Sequence, residues 1–156
     1  MKITLLVVGK TTSAPIESLI QLYQKRLTHY IPFALQVIPE LKNTKALTPD
    51  QQKQAEGELI LRAVAQNADL VLLDERGKEY RSIEFADYIQ KKMSSGRDVV
   101  FVVGGPYGFS EAVYQRANGK ISLSKMTFSH QMVRLFFVEQ IYRAMTILRG
   151  EPYHHE

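Results

Sequence analysis

Short unbroken apolar runs alternate along this chain with stretches whose apolar residues recur every three or four positions. The runs at 3 to 8 (ITLLVV), 33 to 38 (FALQVI), 70 to 73 (LVLL) and 99 to 103 (VVFVV), with the shorter ISL at 121 to 123, have the length and β-branched content of buried strands. Between the first two runs, Ile16, Leu19, Ile20, Tyr23, Leu27 and Tyr30 recur at helical spacing. Thr48 followed by Pro49 is a helix start, and this second helix should continue to about Gln66. A third should open at Ser82 and stop at Gly96, and Ser110 is placed to open a short fourth one. Strands alternating with helices predict a single α/β domain over residues 1–156 with a mostly parallel sheet.

The segment 132 to 148, MVRLFFVEQIYRAMTIL, breaks the amphipathic pattern. Its clearly polar residues are Arg134, Glu139, Gln140, Arg143 and Thr146, and its apolar residues cover all sides of a helix. One sheet face gives such a helix too little cover; it is either an internal helix or, the preferred reading, one shared with a second copy of the chain in a homodimer.

Composition narrows the class. At 45% hydrophobic and 23% charged residues the chain is ordinary for a globular protein, and nothing in it reads as disordered. It has no cysteine, which excludes disulfides, thiolate zinc sites and a thiol nucleophile and fits a reducing compartment. No apolar run approaches a membrane span and Lys2 leads directly into ITLLVVG with no cleavage pattern, so a cytoplasmic protein with no membrane partner is expected. A net charge of +4 permits an anionic partner, nucleic acid first.

GKTTS at 9 to 13 is not a phosphate loop, because Thr4 stands where that motif needs its first glycine. GGPYG at 104 to 108 is not a dinucleotide fingerprint, since its spacing is wrong and it follows a late strand. Three segments remain: LDERGKEYRS at 73 to 82, GGPYGFS at 104 to 110 and LSKMTFSHQMVR at 123 to 134. Each follows a predicted strand, so all three can meet at the crevice where parallel sheets bind ligands. They contain no metal-ligand cluster, no paired catalytic carboxylates and no serine triad, which suits a site whose cofactor brings the reactive group. Adjacent glycines at 104 and 105 would let main chain come within contact distance of a ligand.

Taken singly, several charged residues have ordinary explanations. Asp74, Glu75 and Arg76 read as a solvated turn. Glu139 and Arg143 stand at i, i+4 with the acid first, a pair that stabilises a helix by itself. Arg134 is half a turn out of phase with Arg143, so the two can serve one site only with help from a second copy. His130, in the first helical turn after Ser129, reads as a local hydrogen-bonding group, and His154 and His155 before Glu156 read as native sequence.

GGPYGFS, LSKMTFSHQMVRLFFVEQIYRAMTILRG and the terminal EPYHHE together closely resemble the RlmH family of bacterial SPOUT-superfamily methyltransferases, and the resemblance extends back to ITLLVVGK. It implies a SPOUT-type parallel sheet with helices on both faces and a C-terminal deep trefoil knot. It also implies methylation of N3 of a pseudouridine, the helix 69 site, in the 23S rRNA of the assembled ribosome. S-adenosyl-L-methionine would be the donor, with Leu73, Gly104 and the run Leu123, Ser124, Lys125, Met126, Thr127 and Phe128 as its binding positions and Gly105 a close neighbour.

The tail departs from that family, where Pro-Tyr-His is followed by lysine or arginine. Here His155 follows His154, so a permanent charge has become a titratable one. For the chemistry, a pseudouridine imide must lose its N3 proton, and negative charge spreads onto two flanking carbonyls. His154 or His155 is the candidate base, Arg143 the charge stabiliser, Glu139 its orienting partner, and Tyr153 a group that stacks on or positions the nucleobase. A non-catalytic RNA- or nucleotide-binding dimer built on the same glycine loop is the competing expectation.

Overall fold

The apolar runs at 3 to 8 and 99 to 103 become strands buried on both faces, as a parallel sheet covered on both sides requires. The computed structural model describes residues 1–155. Strands β1 (Ile3–Val8), β2 (Phe33–Ile38), β3 (Asp69–Glu79), β4 (Val99–Val103) and β5 (Gly119–Ser122) form one parallel sheet in the order β2-β1-β4-β3-β5. Period-2 alternation sends Ile3, Leu5, Val7 and Phe101 into one core and Leu6, Leu72, Val100 and Val102 into another. Helices α1 (Ala14–Leu27), α3 (Ser82–Ser95) and α5 (Met132–Leu148) close the first core. Helices α2 (Pro49–Ala63) and α4 (Glu111–Arg116) close the second.

Local chemistry sets the helix ends. Thr48 Oγ1 accepts from the Gln51 amide at 3.1 Å while the Gln51 side chain accepts from the Thr48 amide at 3.0 Å, a reciprocal capping box. Gly96 ends α3 at φ 74°, and Ser110 Oγ accepts from Val113 at 3.4 Å to start α4. Helix α2 stops at Ala63, short of the expected Gln66, because Val64 already has extended φ and ψ and turns into the core beside Ile60.

One expectation needs correction and two gain detail. The polar segment after Leu73 is not simply a loop: β3 continues to Glu79, with a register shift between Leu73 and Lys78 against β5. Its charged sequence hides the strand, but Gly77 marks it, since a Cβ there would stand 2.6 Å from the Ile121 amide nitrogen. His130 lies, as expected, in the turn after Ser129 that leads into α5: Ser129 Oγ accepts from the Met132 amide at 3.1 Å and Ser129 O from the Val133 amide at 3.0 Å. Finally, α5 finds most of its cover within its own chain. It lies on the sheet between α1 and α3 and buries Leu135, Phe137, Val138, Ile141, Ala144 and Met145, leaving Phe136 41% exposed.

Arg134 is the other surprise in α5. Its side chain is buried, 1% exposed, and is not available to nucleic acid within one chain. Its guanidinium donates to Val8 O at 2.9 Å, Gly9 O at 2.8 Å, Thr11 Oγ1 at 3.1 Å and His130 O at 3.0 Å. Gln131 adds a second link, accepting from the Thr12 amide at 2.8 Å. Burial holds the Arg134 pKa below the ordinary arginine value, and the carbonyls keep the cation hydrogen-bonded. Substituting Arg134→Met would leave these acceptors without their donor in a dry site. It should destabilise the protein by about 3 kcal/mol, read by urea denaturation with an unchanged m-value.

Candidate active site

The irregular middle of β3 and the loops that follow β4 and β5 converge on a cleft of about 910 Å³ at the carboxyl end of the sheet. Leu73, Gly104, Gly105, Leu123, Ser124, Met126, Thr127 and Phe128 all line it. Lys125 lies outside the lining: its side chain is 88% exposed and reaches Glu79 at 3.9 Å. The 122–128 loop holds itself open through its own serines. Ser122 Oγ donates to Ser124 O at 2.9 Å, and Ser124 Oγ accepts from the Met126 amide at 2.9 Å. Met126 is left 78% exposed at the rim. Apolar walls from Leu73, Val103, Leu123 and Phe128 beside exposed main chain make a site suited to a nucleoside.

Protein groups stand close to where side chains of the two glycines would be. At Gly104 a Cβ would stand 3.2 Å from the Phe109 ring. At Gly105 it would stand 2.8 Å from Cδ of Glu56 and closer still to Oε1. At Gly105 the space a side chain would take is therefore occupied by protein, at Gly104 it is tight, and both residues also border the cleft.

Sequence reasoning missed α2 as part of this site. Asp50, Lys53 and Gln54 line the cleft, and a Cβ at Gly57 would stand 3.2 Å from Cβ of Ser110 and closer still to its Oγ. The isolated glycine inside a helical pattern was the available signal. Asp74 is also more than a solvated residue. It accepts a hydrogen bond from the Tyr114 hydroxyl, and burial together with that bond pushes the Tyr114 phenol up to about 12. Its other oxygen accepts from the Arg76 amide at 2.9 Å, so the turn expected there exists as part of the β3 irregularity.

The remaining predicted residues form a second group on α5 and the tail. Glu139 Oε1 accepts from Arg143 at 2.6 Å and from the Tyr153 hydroxyl at 2.9 Å. The Arg143 guanidinium lies 4.7 Å from the Tyr153 ring centroid. Tyr142 packs edge-on against Tyr153 at 4.8 Å. Burial opposes the Arg143 charge, but the Glu139 carboxylate outweighs it and the pKa is raised. Burial, with Tyr23 and Glu139, pushes the Tyr153 phenol well up, so this group is a neutral donor.

Arg143 also stands 3.0 Å from Nδ1 of His154. A guanidinium can only donate, so Nδ1 is the acceptor and the ring proton of neutral His154 resides on Nε2. His155 is exposed beside it.

The two groups do not meet within one chain. Val133 lines the cleft, and Arg143 lies ten residues further along α5, about 15 Å at 1.5 Å per residue. None of Glu139, Arg143, Tyr153 or His154 lines the cleft. Among the described residues no group of three or more His, Cys, Asp or Glu could hold a metal ion, and no helix is long and apolar enough to cross a membrane.

A family model described as predicted SPOUT methyltransferase matches residues 1–154. Proteins from Bacteroides thetaiotaomicron and Parabacteroides distasonis, each named ribosomal RNA large subunit methyltransferase H, are 64% and 62% identical over the full length of both chains. A protein of the same name from Christiangramia forsetii is 60% identical over 99% of each chain. These matches bear out the resemblance in GGPYGFS and the α5 segment, and the parallel sheet with helices on both faces agrees with it. The chain belongs to the SPOUT methyltransferase family.

Proposed function

We propose that this protein transfers a methyl group from S-adenosyl-L-methionine to N3 of a pseudouridine, the helix 69 site, in the 23S rRNA of the assembled ribosome. The observation that carries the reading is full-length identity of 60% or more to proteins named for large-subunit ribosomal RNA methylation. The cleft supports the donor: Leu73, Val103, Leu123 and Phe128 would flank its adenosine, and main chain of 104–108 and 122–128 would hydrogen-bond it. When bound, that donor supplies a methyl group on a sulfonium. The rest of the chemistry falls to the chain.

With His154 Nδ1 occupied by Arg143, Nε2–H is a donor, and both groups face the carbonyl charge that develops as N3 loses its proton. The base role then passes to His155. Glu139 holds Arg143 in place from one side and Tyr153 from the other, which presents an aromatic face for the nucleobase.

The reading includes a homodimer and a C-terminal deep trefoil knot. The separation of tail and cleft along α5 favours a composite site, in which the tail of one protomer completes the cleft of its partner. Exposed Phe136, 5.1 Å from Phe128, continues to the rim at Met126 and offers the apolar surface such a dimer would cover. The knot is supported by the path from β5, at one sheet edge, back across the strand ends to α5 between α1 and α3.

A radiolabelled methyl group should pass from S-adenosylmethionine to ribosomes lacking the modification, far faster than to naked ribosomal RNA. Binding without transfer would favour a non-catalytic RNA-binding dimer. Arg143→Met should lower the transfer rate by about 10²-fold with cofactor affinity retained. Sedimentation should give a dimer at micromolar concentration. Dimers mixing an Arg143→Met chain with a Gly104→Val chain should recover part of the activity that either variant lacks alone.

The tail gives a separate test. Deleting residues 153–156 should abolish transfer and spare cofactor binding. If His155 acts as base, His155→Arg should lower the transfer rate with cofactor binding retained, because arginine stays protonated and cannot take the N3 proton. A rate kept or raised in His155→Arg would instead mean that a cation is needed there.

A further inference from the structure

Glu56 is a carboxyl group that the chemistry above does not use, and it lies directly beneath the glycine loop. It is 4% exposed, on α2, in a domain whose other acids mostly reach water or a cation. Oε2 accepts from the Gln52 side chain at 3.4 Å. Oε1 is buried without a hydrogen-bond partner and lies where a Cβ of Gly105 would be. Burial pushes its pKa up and the Glu40 charge adds to this, while Gln52 acts in the opposite direction.

The next residue, Gly57, repeats the theme at the other end of the loop. A helix-interior glycine costs about 1 kcal/mol relative to alanine. Here it lets α2 press against Ser110, the residue that caps α4 and ends the loop. One turn of α2 thus touches the glycine loop at its start, through Glu56 and Gly105, and at its end, through Gly57 and Ser110. Between these points the loop is closed on itself by a bridge between Gly105 and Gly108, whose amide donates to Gly105 O at 3.1 Å.

We propose that Glu56 is a positioning residue of the cofactor site: its carboxyl is the seat on which Gly105 rests, and it sets the height of the Gly104–Gly108 segment over the cleft. The effect is steric and local. An oxygen filling the place a Gly105 side chain would need blocks the loop from sinking toward α2, and Gln52 donates to the other oxygen of the same carboxyl group. A buried acid with one oxygen unpaired is costly for stability alone, and such groups persist where geometry at a site depends on them. The inference deepens the methyl-donor reading of the cleft and rests on it only for the identity of the ligand.

The test uses the full-length protein and four variants: Glu56→Gln, Glu56→Ala, Gly105→Ala and the double Gly105→Ala/Glu56→Ala. S-adenosylmethionine affinity is measured by calorimetry, and amide exchange is followed at 104–110 and at the β1 and β4 core. Glu56→Ala should speed exchange at 104–110, leave the core protected and weaken cofactor binding about tenfold. Glu56→Gln, which keeps the shape, should stay within about threefold of the parent. Gly105→Ala should lose the loop protection and the affinity, and the double variant should regain part of both because the collision partner is gone.

Unchanged exchange at 104–110 in Glu56→Ala, or a double variant no better than Gly105→Ala, would overturn the proposal. If Glu56→Ala lowers protection throughout the core in step with the loop, Glu56 is a stability residue only and the proposal fails. A parent that binds no S-adenosylmethionine would defeat the methyl-donor reading, while the exchange pattern and the double variant would still decide whether Glu56 seats the loop.

Discussion

The buried contact between Arg134 and the end of β1 is the constraint on which this molecule's shape depends. The chain leaves β5 at one edge of the sheet and must return across the carboxyl ends of the strands before α5 can lie between α1 and α3. Where that return meets the end of β1, backbone carbonyls of both segments need a donor. The guanidinium meets this need by accepting the cost of burying a charge. It gathers Val8 O, Gly9 O, Thr11 Oγ1 and His130 O around one planar fork. The cleft-lining loop is thereby tied at its exit to the central strands, and α5 starts in a defined place.

From that start, the length of α5 determines how the candidate site is divided. The helix carries Val133 at the cleft and Glu139 and Arg143 well below it, where the tail folds back to meet them. Tyr153, Glu139, Arg143 and His154 are held in a tight network whose charges are already balanced, with Tyr23 adding a hydroxyl contact at 3.2 Å. Such a network is preorganised for recognition and stays preorganised in the single chain. What it lacks within that chain is proximity to the cleft, which gives the proposed second copy a chemical reason beyond the covering of apolar surface.

The strand ends show the complementary economy. Gly57, Gly77 and Gly105 are each sites where another part of the protein comes too close for a Cβ, and at Gly104 a Cβ would crowd the Phe109 ring. Glycine at these positions is a packing requirement between elements, and it is how α2, β3 and β5 approach the loops closely enough to shape one cleft. A glycine-rich strand end thus looks alike in sequence whether its missing side chain makes room for a ligand or for a neighbouring carboxyl group.

The sequence by itself determined whatever depends on neighbours along the chain. Period-2 and period-3.6 patterns located the five strands and the main helices, and Ser110, Thr48 and Gly96 marked helix ends through bonds that span only a few residues. The Glu139–Arg143 pair was legible because i, i+4 spacing alone brings it together, and the cleft loops after β4 and β5 were legible because each follows a strand. Only the tertiary structure decided the rest. That Arg134 is buried, that α5 is covered mostly by its own chain, that DERGKE extends a strand and that Glu56 lies under Gly105 all follow from contacts between residues far apart in sequence. Periodicity carries no information about such contacts: it says which face of an element is buried, and only the order of strands in the sheet says what that face is buried against.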